Sequence, residues 1–129
     1  MRSALDFSAT VRSGARSGRR NVVLYARPRD AGQAGEPTRF GFIVSKAIGN
    51  AVTRNLVKRR LREVAGQSLA LQSPAVPRAG FDVVVRALPP AAAASWDELS
   101  GEARAALETA CRKAASAAAS GKGAGERGR

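Results

Sequence analysis

RFGFIVSKAIGNAVTRNLVKRRLRE, residues 39–63, changes its apolar period partway along. RFGFIVS (39–45) reads as a strand, rich in aromatic and branched residues, and its continuous FIV suits burial on both faces. Beyond Asn50 the spacing becomes helical: at about 100° per residue, Val57, Leu61, Val64 and Ser68 share one arc. Asn50 suits an N-cap, and Gly49 lets the backbone turn out of the strand. The spacing predicts a helix to about Leu69.

Arg54, Lys58 and Arg62 fall on nearly the opposite arc, flanked by Asn55 and Arg59. Such a stripe is most often a solvated helix face. Here no acid is interleaved before Glu63, and neighbouring like charges cost roughly 0.2–0.5 kcal/mol per pair. The helix start at Gly49 and Asn50 adds backbone N–H groups and a positive dipole end beside Lys46, which together suit a phosphate. The stripe therefore points to a polyanion.

Charge distribution supports this. Residues 1–62 hold 14 basic and 3 acidic residues, whereas 63–129 hold 8 and 7, so nearly all of the net +12 lies in one half. No apolar run approaches the roughly 20 residues of a membrane span. MRSALDFSATVR lacks the apolar centre of a signal peptide, and Cys111, the single cysteine, suits a reducing compartment. The expectation is a cytoplasmic protein without membrane contact. With no histidine and one cysteine the chain has no zinc cluster and no Ser-His-Asp or Cys-His pair, and Asp6, Asp30 and Glu36 are scattered. No protein-borne active site is expected.

The remaining elements place this helix between strands. LDFSATVRS (5–13) reads as a short helix ended by Gly14, with Phe7 and Val11 on one face; packing on a sheet is the simpler role for that face. GARSGRR (14–20) is a basic connector into the strand NVVLYA (21–26). Loops at 26–38 and 71–80 flank the central stretch, and FDVVVRA (81–87) is a third strand. Ser95 and Glu98 have capping-box spacing, followed by an apolar stripe of Trp96, Leu99, Ala103, Leu107 and Ala110. From Ser116 the composition is too poor in large apolar residues to pack. This gives one domain over 1–115 and a disordered basic tail over 116–129.

No second helix precedes the basic one with helix-turn-helix spacing, which argues against a DNA major-groove reader. Phe7, Tyr25, Phe40 and Phe42 lie in the basic half, where exposed rings would stack on bases, although most suit a core. The residues by themselves describe a compact α+β RNA-binding protein.

SKAIGNAVTRNLVKRRLRE, with DFSATVRSG, VVLYAR, RFGFIVS and FDVVVRA in this order, closely resembles the protein subunit of bacterial ribonuclease P over about residues 5–115. The resemblance implies a two-layer α+β sandwich with a mixed four-stranded sheet, order αβββαβα, a left-handed βαβ crossover and an extra strand near 16–21. It implies a cytoplasmic ribonucleoprotein in which a large RNA, using magnesium held mainly by that RNA, removes the 5′ leader of precursor tRNA. The family's RNA-contacting motif falls on Lys46, Gly49, Asn50, Arg54, Asn55, Lys58, Arg59 and Arg62, and its leader cleft on Phe7, Val11 and Tyr25. Leu56 stands where the family usually has arginine, with Arg60 a possible substitute. The chain also begins without the family's short basic N-terminal segment. A non-catalytic RNA-binding protein, ribosome-associated or an RNA chaperone, is the alternative; a membrane-surface protein gains nothing from the strand pattern.

Overall fold

A computed structural model describes residues 7–70 and 76–124. The elements are α1 (Phe7–Ser13), β1 (Ala15–Gly18), β2 (Val22–Pro28), β3 (Arg39–Ile43), α2 (Ala51–Ala70), β4 (Phe81–Ala87) and α3 (Trp96–Ala124), with short 3₁₀ turns at Ala31–Gln33, Lys46–Ile48 and Pro89–Ala93. The sheet order is β1-β2-β4-β3; β1–β2 and β2–β4 are antiparallel and β3–β4 parallel. This is the expected mixed four-stranded α+β architecture, including the extra strand, which occupies Ala15–Gly18. The chain reaches β4 from its parallel neighbour β3 by way of α2.

Alternation along the strands divides the sheet into two unlike faces. Val22, Leu24 and Ala26 of β2 and Val83, Val85 and Ala87 of β4 join Val57, Leu61 and Val64 of α2 and Leu99, Ala103, Leu107 and Ala110 of α3 in the main core. Burying each large side chain here contributes about 1.5–3 kcal/mol. The opposite face carries a small cluster of Val23, Tyr25 and Val84, against which Val11 of α1 and Ile43 of β3 pack. Two long helices seal one face, while seven-residue α1 lies on the other.

β3 is an edge strand, so Phe42, Ile43 and Val44 are each half-buried rather than enclosed on both faces. The capping box forms as spaced: Ser95 Oγ accepts from Glu98 N at 3.1 Å, and Glu98 Oε1 accepts from Ser95 N at 3.0 Å. α3 runs to Ala124 and so spans Ser116, where composition marked the start of the tail. Leu5 and residues 71–75 and 125–129 lie outside the described residues.

α1 meets β2 closely at Gly14. Gly14 N donates to Thr10 O at 2.8 Å, and a Cβ at this position would press on Thr10 O and lie 2.9 Å from Ala26 O. At the same end of the strands but toward the opposite edge of the sheet, Arg39 bonds Asp82, while buried Arg29 lies 3.8 Å from Asp82 and donates to Pro37 O and Glu36 Oε1. No helix among the described residues is long and apolar enough to cross a membrane.

Candidate nucleic-acid interface

The start of α2 is built by two successive caps. Ser45 Oγ accepts from Ala47 N at 3.3 Å and opens the Lys46–Ile48 turn, which Ile48 anchors by burial. Gly49 then adopts φ +150°, where a side chain is strained. Asn50 Oδ1 accepts from Thr53 N at 2.9 Å, confirming Asn50 as the cap, and Asn50 O accepts from Arg54 N at 2.9 Å. Lys46, Gly49 and Asn50 are all exposed around this N-terminus.

Farther along, Val57, Leu61, Val64 and Ser68 are buried, as the helical wheel requires. Asn55, Arg59 and Arg62 are exposed; Arg54 and Lys58 are half-exposed. The ion pairs among the described residues join Arg29, Glu36, Arg39 and Asp82, and none reaches α2. Glu63 instead accepts from Gln67 Nε2 at 3.4 Å. The stripe's charge is thus uncompensated by carboxylates and faces outward. Arg60, also half-exposed, has one further tie: its Nη1 donates to Ala94 O at 3.3 Å and links α2 to the end of the Pro89–Ala93 turn. Leu56, on the same helix, is half-buried.

On the open face, α1 and the sheet enclose a cleft of about 400 Å³ lined by Phe7, Ser8, Val11, Arg12, Ile43 and Arg86. Phe7 is 39% exposed, unusually high for a large apolar side chain. Tyr25 is only 8% exposed and belongs to the cluster that Val11 and Ile43 cover. The expected cleft residues thus divide: Phe7 and Val11 line the space, and Tyr25 lies within the packing beside it. Sequence reading missed Arg86 and Ile43, directly paired across β4 and β3, and Ser8 and Arg12, one helical turn apart. Two guanidinium groups beside apolar walls suit a nucleotide, pairing phosphate contacts with a stacking surface.

The neighbouring charge cluster is structural. Arg39 Nε and Nη2 donate to Asp82 Oδ1 and Oδ2, and this hydrogen bonding raises the arginine's pKa against the opposing effect of desolvation. Among the described residues no group of three or more His, Cys, Asp or Glu is placed to hold a metal. Asp82, Glu102 and Glu98 are engaged by Arg39, Asn21 and Ser95 respectively.

Residues 1–111 match the family model described as Ribonuclease P. The ribonuclease P protein component of Arthrobacter sp. (strain FB24) is 58% identical over 113 residues, covering 88% of this chain and 77% of its own. That of Kocuria rhizophila is 56% identical over 115 residues, covering 89% and 94%. Among solved structures, a Staphylococcus aureus RNase P protein mutant is 26% identical with a TM-score of 0.66, covering 81% of each chain. The Thermotoga maritima RNase P protein shares the fold at 21% identity and TM-score 0.66, over 81% of this chain and 90% of its own. With residues 1–111 matched by the family model and these relatives 56–58% identical over most of the chain, the chain belongs to the ribonuclease P protein family.

Proposed function

We propose that this chain is the protein subunit of a ribonuclease P holoenzyme that removes the 5′ leader from precursor tRNA in the cytoplasm. The observation that carries this reading is the uncompensated stripe of Arg54, Lys58, Arg59 and Arg62, continuous with the exposed α2 start at Lys46, Gly49 and Asn50. Its role is to bind the backbone of the catalytic RNA, with Asn55 among the bases or riboses. Phosphates at the helix start meet backbone N–H groups and the dipole, while those along the stripe meet cations.

The cleft beside α1 receives single-stranded leader. Phe7 offers a ring for stacking, Val11 and Ile43 supply apolar walls, and Arg12 and Arg86 supply positive charge. The RNA performs the hydrolysis and holds the magnesium that activates water and stabilises the leaving oxygen. This chain positions substrate by gripping the leader on one surface and the RNA on another.

The test is leader removal by the matching RNA subunit at low magnesium, with and without the protein. The protein should accelerate the reaction and make the complex bind precursor tRNA more tightly than mature tRNA. Phe7→Ala should weaken that preference by about fivefold or more, corresponding to a stacking contact of about 1–3 kcal/mol. Stable RNA binding with no effect on leader removal or on the preference would instead support a non-catalytic RNA-binding protein.

A further inference from the structure

GARSGRR (14–20) is a basic motif used by neither the stripe nor the cleft. It forms β1 and the turn into β2, at the sheet edge away from β3. The turn is fixed from two sides: Arg19 N donates to Val22 O at 2.8 Å, and Asn21 N and Nδ2 donate to the Glu102 carboxylate of α3 at 2.9 Å each. Arg16, Arg19 and Arg20 are exposed on this firm base. Lys113 joins them from α3 by donating to Arg16 O at 3.1 Å. Arg19 Nη2 meets only a neutral partner, Thr109 Oγ1, at 3.3 Å. No carboxylate among the described residues pairs with Arg16 or Arg20, and Glu102 is engaged by Asn21. Glu108 is the remaining acid on this part of α3.

Arg16 is also aimed. A Cβ on Gly18 would lie 3.5 Å from both Arg16 Nη atoms and 3.2 Å from Val23 Cγ2, so the guanidinium lies over the bare backbone of Gly18. Gly18, Val23, Arg86 and Ile43 form one registered row across the four strands. The last two line the cleft. From β4 to β1 is two strand spacings, about 10 Å.

Cations on an edge strand also discourage pairing with other chains. That role explains charge at the edge but not a guanidinium lying over the open face in line with the cleft.

We propose that the β1 edge is a second RNA seat, taking the backbone of leader nucleotides that extend beyond the cleft. The leader passes Arg86, crosses Val23 and Gly18, and brings phosphates to Arg16 and Arg20. This rests on the cleft being the leader site.

The experiment measures affinity of the holoenzyme for mature tRNA and for precursors with leaders of about 4 and about 12 nucleotides, spanning the site sizes of small single-strand-binding domains. Wild-type protein is compared with Arg16→Ala/Arg20→Ala and Arg16→Lys/Arg20→Lys, each checked for an unchanged thermal melt. The alanine variant should lose about fivefold per phosphate contact at about 0.1 M salt on the long leader, with a salt slope shallower by about 0.7 per contact. It should match wild type on the short leader, and the lysine variant should retain most of the long-leader affinity. Equal loss on both leaders and on mature tRNA would place the patch on the catalytic RNA or the tRNA body and overturn the proposal. Unchanged affinity with new self-association would reduce the patch to an edge guard and also overturn it. Failure of wild type to favour either precursor over mature tRNA would remove the cleft reading and this one together.

Discussion

Arg39 and Asp82 stand opposite each other in the parallel pair β3–β4, joined through Nε–Oδ1 at 2.8 Å and Nη2–Oδ2 at 3.0 Å. The bidentate bond fastens edge strand β3, and with it the chain leading into α2, to the sheet. Asp82 is buried and also lies near buried Arg29. Asp82→Ala should destabilise the protein by about 3–5 kcal/mol, because it leaves guanidinium charge without its buried partner. Urea unfolding measures the loss; a change within experimental error would mean that the pair is incidental to stability.

Asn50 permits stability and RNA affinity to be separated. Asn50→Ala removes the bond to Thr53 N and should cost about 1 kcal/mol. Asn50→Asp retains the cap and interacts favourably with the dipole, so the fold should be as stable or more so. Its negative charge should nevertheless lower affinity for the RNA subunit by about fivefold or more at about 0.1 M salt. Undiminished RNA binding by Asn50→Asp would place the phosphate elsewhere.

Cations in the same run should differ in their salt response. Arg54→Ala and Lys58→Ala should each reduce the magnitude of the log–log salt slope by somewhat under one unit, about 0.7–0.9. Arg60→Ala should leave the slope unchanged and cost about 1 kcal/mol of stability through loss of its bond to Ala94 O. Titrations of RNA binding at several salt concentrations, paired with melts, distinguish the two classes.

Cys111 is buried in α3, and burial, followed by the nearby Glu108 charge, pushes its thiol from 9.0 to about 12. The folded state therefore retains the proton that the unfolded chain releases. Stability should be intact below about pH 9 and decline as pH rises toward 12, by at most about 1.4 kcal/mol per pH unit from this group. Cys111→Ala should flatten that decline, whatever its effect at neutral pH. Native protein should resist alkylation at pH 9, and rapid modification there would contradict the burial.

Residues 39–63 were informative because strand composition, turn and helical periodicity follow one another in a single local stretch, each with its own signature. The cap at Asn50, the buried arc through Leu61 and the Ser95–Glu98 box required only spacing. Features set by distant partners were less legible. β1 consists of ARSG, with no strand pattern of its own, and is defined by pairing with β2. Arg86 and Ile43 become cleft neighbours only through strand register, and Arg60 finds the carbonyl of Ala94 only because the Pro89–Ala93 turn lies beside α2. The burial of Tyr25 likewise depends on where α1 settles.

Gly14 makes the width of the cleft a matter of an absent methyl group. Since Thr10 O and Ala26 O crowd the place where a Cβ would stand, alanine there would act as a shim and lift one end of α1 from β2. Phe7 and Val11, carried at the other end and middle of that short lever, would swing with it. The width of the cleft is thus calibrated at a position that lies outside its own lining.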